Sequence, residues 1–235
     1  MPKALILSGA GRYADPWHSY ADTSLRLEAL AHDSGWKTTI TDQIDETLAA
    51  GLDDFDLVIV NAGDPWHATE EGAPEPDEAV IAQGRLALAT ALERGISLLG
   101  VHAAANSLRD YPQWRFALGG EWTHGKSWHP AVGEIHIRTL HDEIVEGLSD
   151  FNVMDERYTA LTIDRDIELL AEAIDDQKGH PIAWAHQYGR SCVIYDALGH
   201  DLRSFDSRGH RSLLRRALSW LLPRQKFDDA RRKRS

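Results

Sequence analysis

The run Gly95-Ile96-Ser97-Leu98-Leu99-Gly100-Val101-His102-Ala103-Ala104-Ala105 restricts this chain to few architectures. An apolar stretch of strand length ends in a glycine, then a histidine, then three small residues. That is the pattern of a buried strand turning sharply into a helix. Such an elbow leaves no room for bulk beside it. In many α/β enzymes it presents a Ser or Cys nucleophile at the carboxyl edge of a sheet. Here it presents His102, so the elbow offers a base or a ligand instead of an attacking atom. Its small neighbours predict an imidazole open to the space above the sheet.

The flanking segments supply the rest of that sheet. Ala4–Leu7, residues 36–41 and residues 56–61 read as strands, the last an almost continuous apolar run suited to a parallel strand covered on both faces. Between them, residues 20–31 and 76–94 carry apolar residues at helical spacing, and Gly95 is a natural stop. Strands alternating with helices predict a mostly parallel α/β sheet with helices on both faces. Ligands of such sheets gather at the carboxyl ends of the strands. Three polar segments follow strand ends here: Ser8 to His18 with Arg12, Tyr13 and Trp17; Asn61 to His67 with Asp64 and Trp66; and His102 itself.

Beyond residue 112 the pattern changes. Residues 112–130 show little period but hold Trp114, Gly119-Gly120, Trp122, His124, Trp128 and His129. Residues 131–138, 151–158 and 167–173 read as strands. Residues 181–186 and 192–198 flank a hairpin turn at Gln187–Arg190, and residues 211–222 form a last helix. No repeat or linker divides the chain, so residues 1–222 are expected to form one domain, with residues 223–235 a solvated basic tail.

Composition removes several functions. A net charge of -12 argues against a nucleic-acid partner. No apolar run is long enough for a signal sequence or a membrane span, so a cytoplasmic protein is expected. Cys192 is the one cysteine, which excludes an intrachain disulfide and a Cys-based zinc site. Eight Trp and twelve His, many side by side in loop-like segments, suit the binding of sugar rings or other flat, partly apolar ligands.

Four segments in order carry a resemblance: Gly100-Val101-His102-Ala103-Ala104, Gly119-Gly120-Glu121-Trp122-Thr123-His124, Asp155-Glu156-Arg157-Tyr158, and Pro181 to Arg190 running on to Leu198-Gly199-His200. Together they resemble the trehalose-utilisation (ThuA-like) family from the first strand to about Leu222. The resemblance implies a flavodoxin-like fold of the class I glutamine amidotransferase type and a link to disaccharide or keto-sugar metabolism. The chain departs from the family at His141-Asp142, where a His-Pro is usual, and in the loop 64–77. It also departs from the amidotransferases, because His102 occupies the elbow position of their nucleophilic cysteine.

The candidate catalytic set is His102, His124 and Glu156, working by acid/base chemistry near neutral pH. Glu156 and Tyr158 are expected to share a strand face. His18, Trp66, Trp122, Tyr158, Trp184 and His200 are the candidate contacts for a small-molecule carbohydrate. His67 and His129 belong to no motif. His18, His102, His124, Glu156 and His200 are ligand types suited to zinc or another divalent ion, without the short spacing that identifies a metal site. The alternatives to an acid/base enzyme are a non-catalytic sugar-binding or regulatory module and a metal-dependent hydrolase. The sequence leaves a homo-oligomer open.

Overall fold

The apolar runs become the middle of one nine-stranded sheet in the computed structural model, which describes residues 1–66, 76–176 and 178–223. Strands β1 (Lys3–Ser8), β2 (Lys37–Thr41), β3 (Leu57–Asn61) and β4 (Ser97–Val101) pair in parallel. Every residue of β3 and β4 is buried, as continuous apolar strands require. Strands β5 (Gly120–Glu121) and β8 (Thr162–Ile163) form a separate two-stranded ribbon. The remaining strands are β6 (Gly133–Thr139), β7 (Phe151–Asp155), β9 (Ile167–Asp175), β10 (Lys178–Tyr188) and β11 (Ser191–Asp196). The full order is β2-β1-β3-β4-β11-β10-β9-β6-β7. Strand β11 extends the parallel half beside β4, and each pairing beyond it is antiparallel. The β10–β11 hairpin turns at Gly189-Arg190, inside the expected segment.

Helices α1 (Tyr20–Asp33), α5 (Leu202–Asp206) and α6 (Arg208–Trp220) pack together in one layer, and α2 (Ile44–Ala50), α3 (Glu78–Arg94) and α4 (Pro112–Leu118) in another. Asp77 caps α3 by accepting from the amides of Ala79 and Val80, so that helix starts after the expected Pro76. It ends at Gly95, as read from the sequence. The strand–helix alternation implies a helix where α2 lies, but the sequence gives bounds for neither α2 nor α4. At seven residues each they are too short to display an apolar period.

Two differences bear on the site. The expected strand 151–158 stops at Asp155, so Glu156 and Tyr158 leave the sheet in a loop and share no strand face. The cause is local: Asp155 is buried and accepts from the backbone amides of Glu156, Gly199 and His200, which bends the chain out of the ladder. The elbow after β4 opens into a 3-10 turn, His102–Asn106. The neighbours of β1 lie on opposite sides of it, so the chain order reverses there and leaves a crevice at the carboxyl ends of β1 and β3.

Candidate functional site

His102 is held by backbone geometry that few residues other than glycine adopt, with φ at +48°. A left-handed non-glycine residue of this kind costs on the order of 1–3 kcal/mol and survives only where its surroundings fix it. They do so here. Nδ1 donates to the Ala197 carbonyl at 2.7 Å, and the Tyr195 hydroxyl donates to the carbonyl of His102. A Cβ on Gly100 would lie 2.7 Å from Leu118 Cδ1, and one on Gly199 would lie 2.9 Å from Val101 Cγ1. The glycines therefore let α4 and the loop after β11 close on the elbow. The result corrects the sequence expectation of an open imidazole, because His102 is only 1% exposed. The same crowding that requires small neighbours also encloses the ring.

Four chain segments meet at Nε2 of His102. His18, from the loop after β1, brings its own Nε2 to 3.1 Å. Glu156 Oε2 stands at 3.5 Å and the Tyr158 hydroxyl at 3.1 Å. His200 follows β11 and places Nδ1 3.4 Å from Glu156 Oε2. Its ring packs against those of His18 and His102, with centroids 4.7 and 5.5 Å away. One ligand-type atom from each of His18, His102, Glu156 and His200 lies within 4.8 Å of the other three. These are the residues, among those described, that could hold a metal ion.

A second layer orients this group. Asp15 receives His18 Nδ1 at 2.7 Å, the Tyr20 hydroxyl and the amides of Trp17 and His18. Burial disfavours its charge, but bonds from His18, Tyr20 and Trp17 outweigh that and hold its pKa at about 2. Burial would likewise lower the His102 pKa, yet Glu156, Asp155 and the Ala197 carbonyl raise it. Glu156 is pulled below the usual carboxylate range, its burial being overcome by His102, His200 and His129. His200 is pushed down by burial and by the neighbouring His102.

Above the cluster lies a cavity of about 300 Å³, lined by Asp15, Trp17, His18, Glu156 and Tyr158 together with Asp64, Asn106, Trp122 and His129. A second cavity of about 270 Å³ shares Asn106 and Trp122 with it and has Trp66, Arg109 and Phe116 in its wall. His102 and His200 lie beneath this surface and do not line it. The expectation that His200 contacts a ligand therefore changes, because its ring is packed beneath the floor.

His124 stands apart from His102. Its Nε2 accepts from Arg109 at 2.7 Å and lies 3.2 Å from both Asp64 and Asn106. It braces two cavity residues, Asp64 and Asn106, the latter at the end of the elbow turn, and is not among the groups that meet at His102 Nε2. Trp184, expected as a sugar platform, is fully buried, with its indole NH donated to Leu118 and its ring on Tyr195. It is core, since no face of the ring remains for a ligand. Trp122 does face both cavities, and it meets Tyr158 edge-on at 4.7 Å. Trp66 is largely exposed under the Arg109 guanidinium in the second cavity. Arg12 and Tyr13 turn away from the crevice onto Asp45. His67 and the loop through residue 75 lie outside the described residues.

Sequence reasoning missed three participants. His129 lines the cavity and stands 3.3 Å from Glu156 Oε1. Asp15 and Asp155 act behind other side chains, and nothing in residue spacing marks such a role.

A family model described as trehalose utilisation matches residues 3–221, nearly the whole chain. The chain belongs to the ThuA trehalose-utilisation family. Among solved structures, a ThuA-like protein from Parabacteroides merdae ATCC 43184 superposes with a TM-score of 0.72 at 17% identity, over 94% of this chain and 90% of that one. A ThuA-like protein from Bacteroides uniformis ATCC 8492 gives 0.69 at 19% identity, over 96% and 93%. A glutamine amidotransferase from Thermotoga maritima gives 0.54 at 11% identity, over 95% and 99%. These likenesses establish the fold, which is of the glutamine amidotransferase type. Among curated proteins none matches the chain in sequence. This ThuA family member carries an imidazole at its elbow. Its one cysteine lies on β11, half-buried, with Sγ 3.5 Å from Gln187. No helix among the described residues is long and apolar enough to cross a membrane.

Proposed function

We propose that this chain is an enzyme of carbohydrate metabolism that turns over a two-ring sugar, or an oxidised derivative of one, above the His18–His102–Glu156–His200 cluster. The observation that carries the reading is the convergence of ionisable side chains from four separate segments beneath an aromatic-walled cavity. Membership of the trehalose-utilisation family supports a sugar as the ligand. The cavity chemistry agrees. Trp17 and Trp122 offer apolar ring faces, while Asp15, Asp64 and Glu156 accept hydrogen bonds from hydroxyl groups. Three carboxylates in one wall also repel anionic ligands, which favours neutral saccharides over sugar phosphates. Two adjoining cavities of similar volume suit two rings.

In this reading Glu156 and His129 meet the substrate from the cavity side, and His102 works from beneath by holding Glu156. This moves the proton-transfer role expected of His102 onto its cavity-facing neighbours. The test is a thermal-shift screen of neutral disaccharides, their keto derivatives and the corresponding phosphates, followed by chromatography of each stabilising ligand after incubation. Stabilisation by a neutral saccharide with conversion to product is expected, together with loss of conversion in Glu156→Gln. Stabilisation without conversion would leave a sugar-binding module in place of an enzyme. No stabilisation by any saccharide would remove the reading altogether.

A further inference from the structure

We propose that His18, His102, Glu156 and His200 form a binding site for one divalent transition-metal ion, with zinc the best match to the ligand set. The first observation is a tautomer argument. His18 gives Nδ1–H to the Asp15 carboxylate and His102 gives Nδ1–H to the Ala197 carbonyl. Each ring in its neutral form therefore carries its lone pair on Nε2, and these two nitrogens point at one another 3.1 Å apart. Two facing lone pairs need a positive centre between them. A shared proton supplies one, and a metal ion supplies one while also engaging the other two side chains.

The spacing fits an ion. With bonds of about 2.0–2.1 Å to nitrogen and oxygen, ligand atoms of a tetrahedral centre lie about 3.3–3.4 Å apart, and in an octahedral one adjacent atoms lie about 2.8–3.0 Å and opposite ones about 4.0–4.2 Å apart. The distances here are 3.1 Å between the two Nε2 atoms, 3.5 Å from His102 to Glu156 and 3.4 Å from Glu156 to His200. All four ligand atoms fall within 4.8 Å. His200 Nδ1 is buried without a hydrogen-bond partner, although a buried polar atom of this kind is ordinarily satisfied. A metal bond satisfies it.

The surroundings are those of a supported metal centre. Ligating histidines generally donate their second nitrogen to a carboxylate or a carbonyl, as Asp15 and Ala197 provide. Asp155 fixes the backbone of Glu156 and of His200 together, so one carboxylate sets the position of two ligands. Three imidazoles and one carboxylate suit zinc better than the oxygen-seeking calcium or magnesium. Glu156 and His18 also line the cavity, so a ligand there reaches the ion from that side. The site stands on its own geometry. Its use as a Lewis acid toward a sugar carbonyl or hydroxyl rests on the function proposed above.

The test is isothermal titration of the chelator-stripped full chain with zinc chloride and with cobalt chloride, the latter read also by its visible absorption. One equivalent of either ion per chain is expected, and the cobalt form should show ligand-field bands. His18→Ala and His200→Ala should each weaken binding at least about tenfold, as should Asp15→Asn, which touches the ion only through His18. His124→Ala, outside the set, should still take up one equivalent. Circular dichroism of each variant shows whether loss of binding is merely loss of fold. The absence of saturable binding to folded wild-type chain would overturn the site, as would affinity unchanged in both His18→Ala and His200→Ala. Metal binding without sugar conversion would sink the proposed function alone, and conversion by the metal-free chain would sink any role of the metal in it.

Discussion

Replacing Asp155 by asparagine tests the contact that organises the centre. The carboxylate is 1% exposed and accepts three amides: Oδ1 takes Glu156 at 2.7 Å and His200 at 3.3 Å, and Oδ2 takes Gly199 at 2.8 Å. Asparagine has the same shape but offers only one acceptor oxygen. Its best orientation keeps the Glu156 and His200 bonds and turns the NH2 toward the Gly199 amide, so that two donors face each other. The loss is one charge-assisted bond, about 1.5–3 kcal/mol, together with a buried donor left unsatisfied, about 1–3 kcal/mol. Taking the lower half of both ranges, because the loop can relax by a few tenths of an ångström, we expect about 3 kcal/mol. For a chain of this size that corresponds to a fall in Tm of roughly 6–12 °C. Urea unfolding followed by Trp fluorescence measures it directly. A loss under about 1 kcal/mol would show that this carboxylate does not hold the loop after β11.

Two further outcomes concern stability and recognition. His210 is fully buried against Asp196 at 3.0 Å, and although burial lowers its pKa, the Asp196 charge raises it above the ordinary value. Its folded-state pKa therefore exceeds the unfolded one, so its contribution is complete below about pH 6.5 and is lost as pH rises through the folded pKa. The stability gap between wild type and His210→Gln should narrow from pH 6 to pH 9 in denaturant titrations, and a gap that is flat or widens contradicts the assignment. Trp184→Ala should cost about 3–5 kcal/mol without a specific effect on ligand affinity, as truncation of a buried core ring does. Trp122→Ala should weaken saccharide binding tenfold or more and cost less unfolding free energy than Trp184→Ala, because its ring is only partly buried against the core; equal effects from the two would contradict their separation into core and wall.

The parallel half of the fold could be read because its strands are buried on both faces and show it as unbroken apolar runs such as Leu57–Asn61. The crevice followed from topology, and His18 and His102 were legible because each comes after the end of a strand. Depth was not legible. His102 and His200 were expected at a surface and lie beneath it, since a sequence gives the direction of a side chain more readily than what covers it. Trp184 and Trp122 are the same residue type in two of the four motifs, and only burial separates core from wall. His124 belongs to the candidate catalytic set read from the sequence, yet Arg109 and Asp64, distant in sequence, hold it away from His102. Asp155 was seen as part of a strand, because the amides it binds come from residues 156, 199 and 200, and such a pairing has no local signature.

Glu156 is delivered by the antiparallel arm, whereas His18, His102 and His200 come from the parallel half. Neither half contains a complete set of donor atoms. Any rearrangement that alters how the arm is seated, even far from the crevice, is therefore felt there as a shift of the carboxylate, and of the His200 backbone tied to it through Asp155, against the rings of His18 and His102. Substitutions along β6 and β7 can tune chemistry from a distance, while those on β1 to β4 will chiefly register in whether the chain folds.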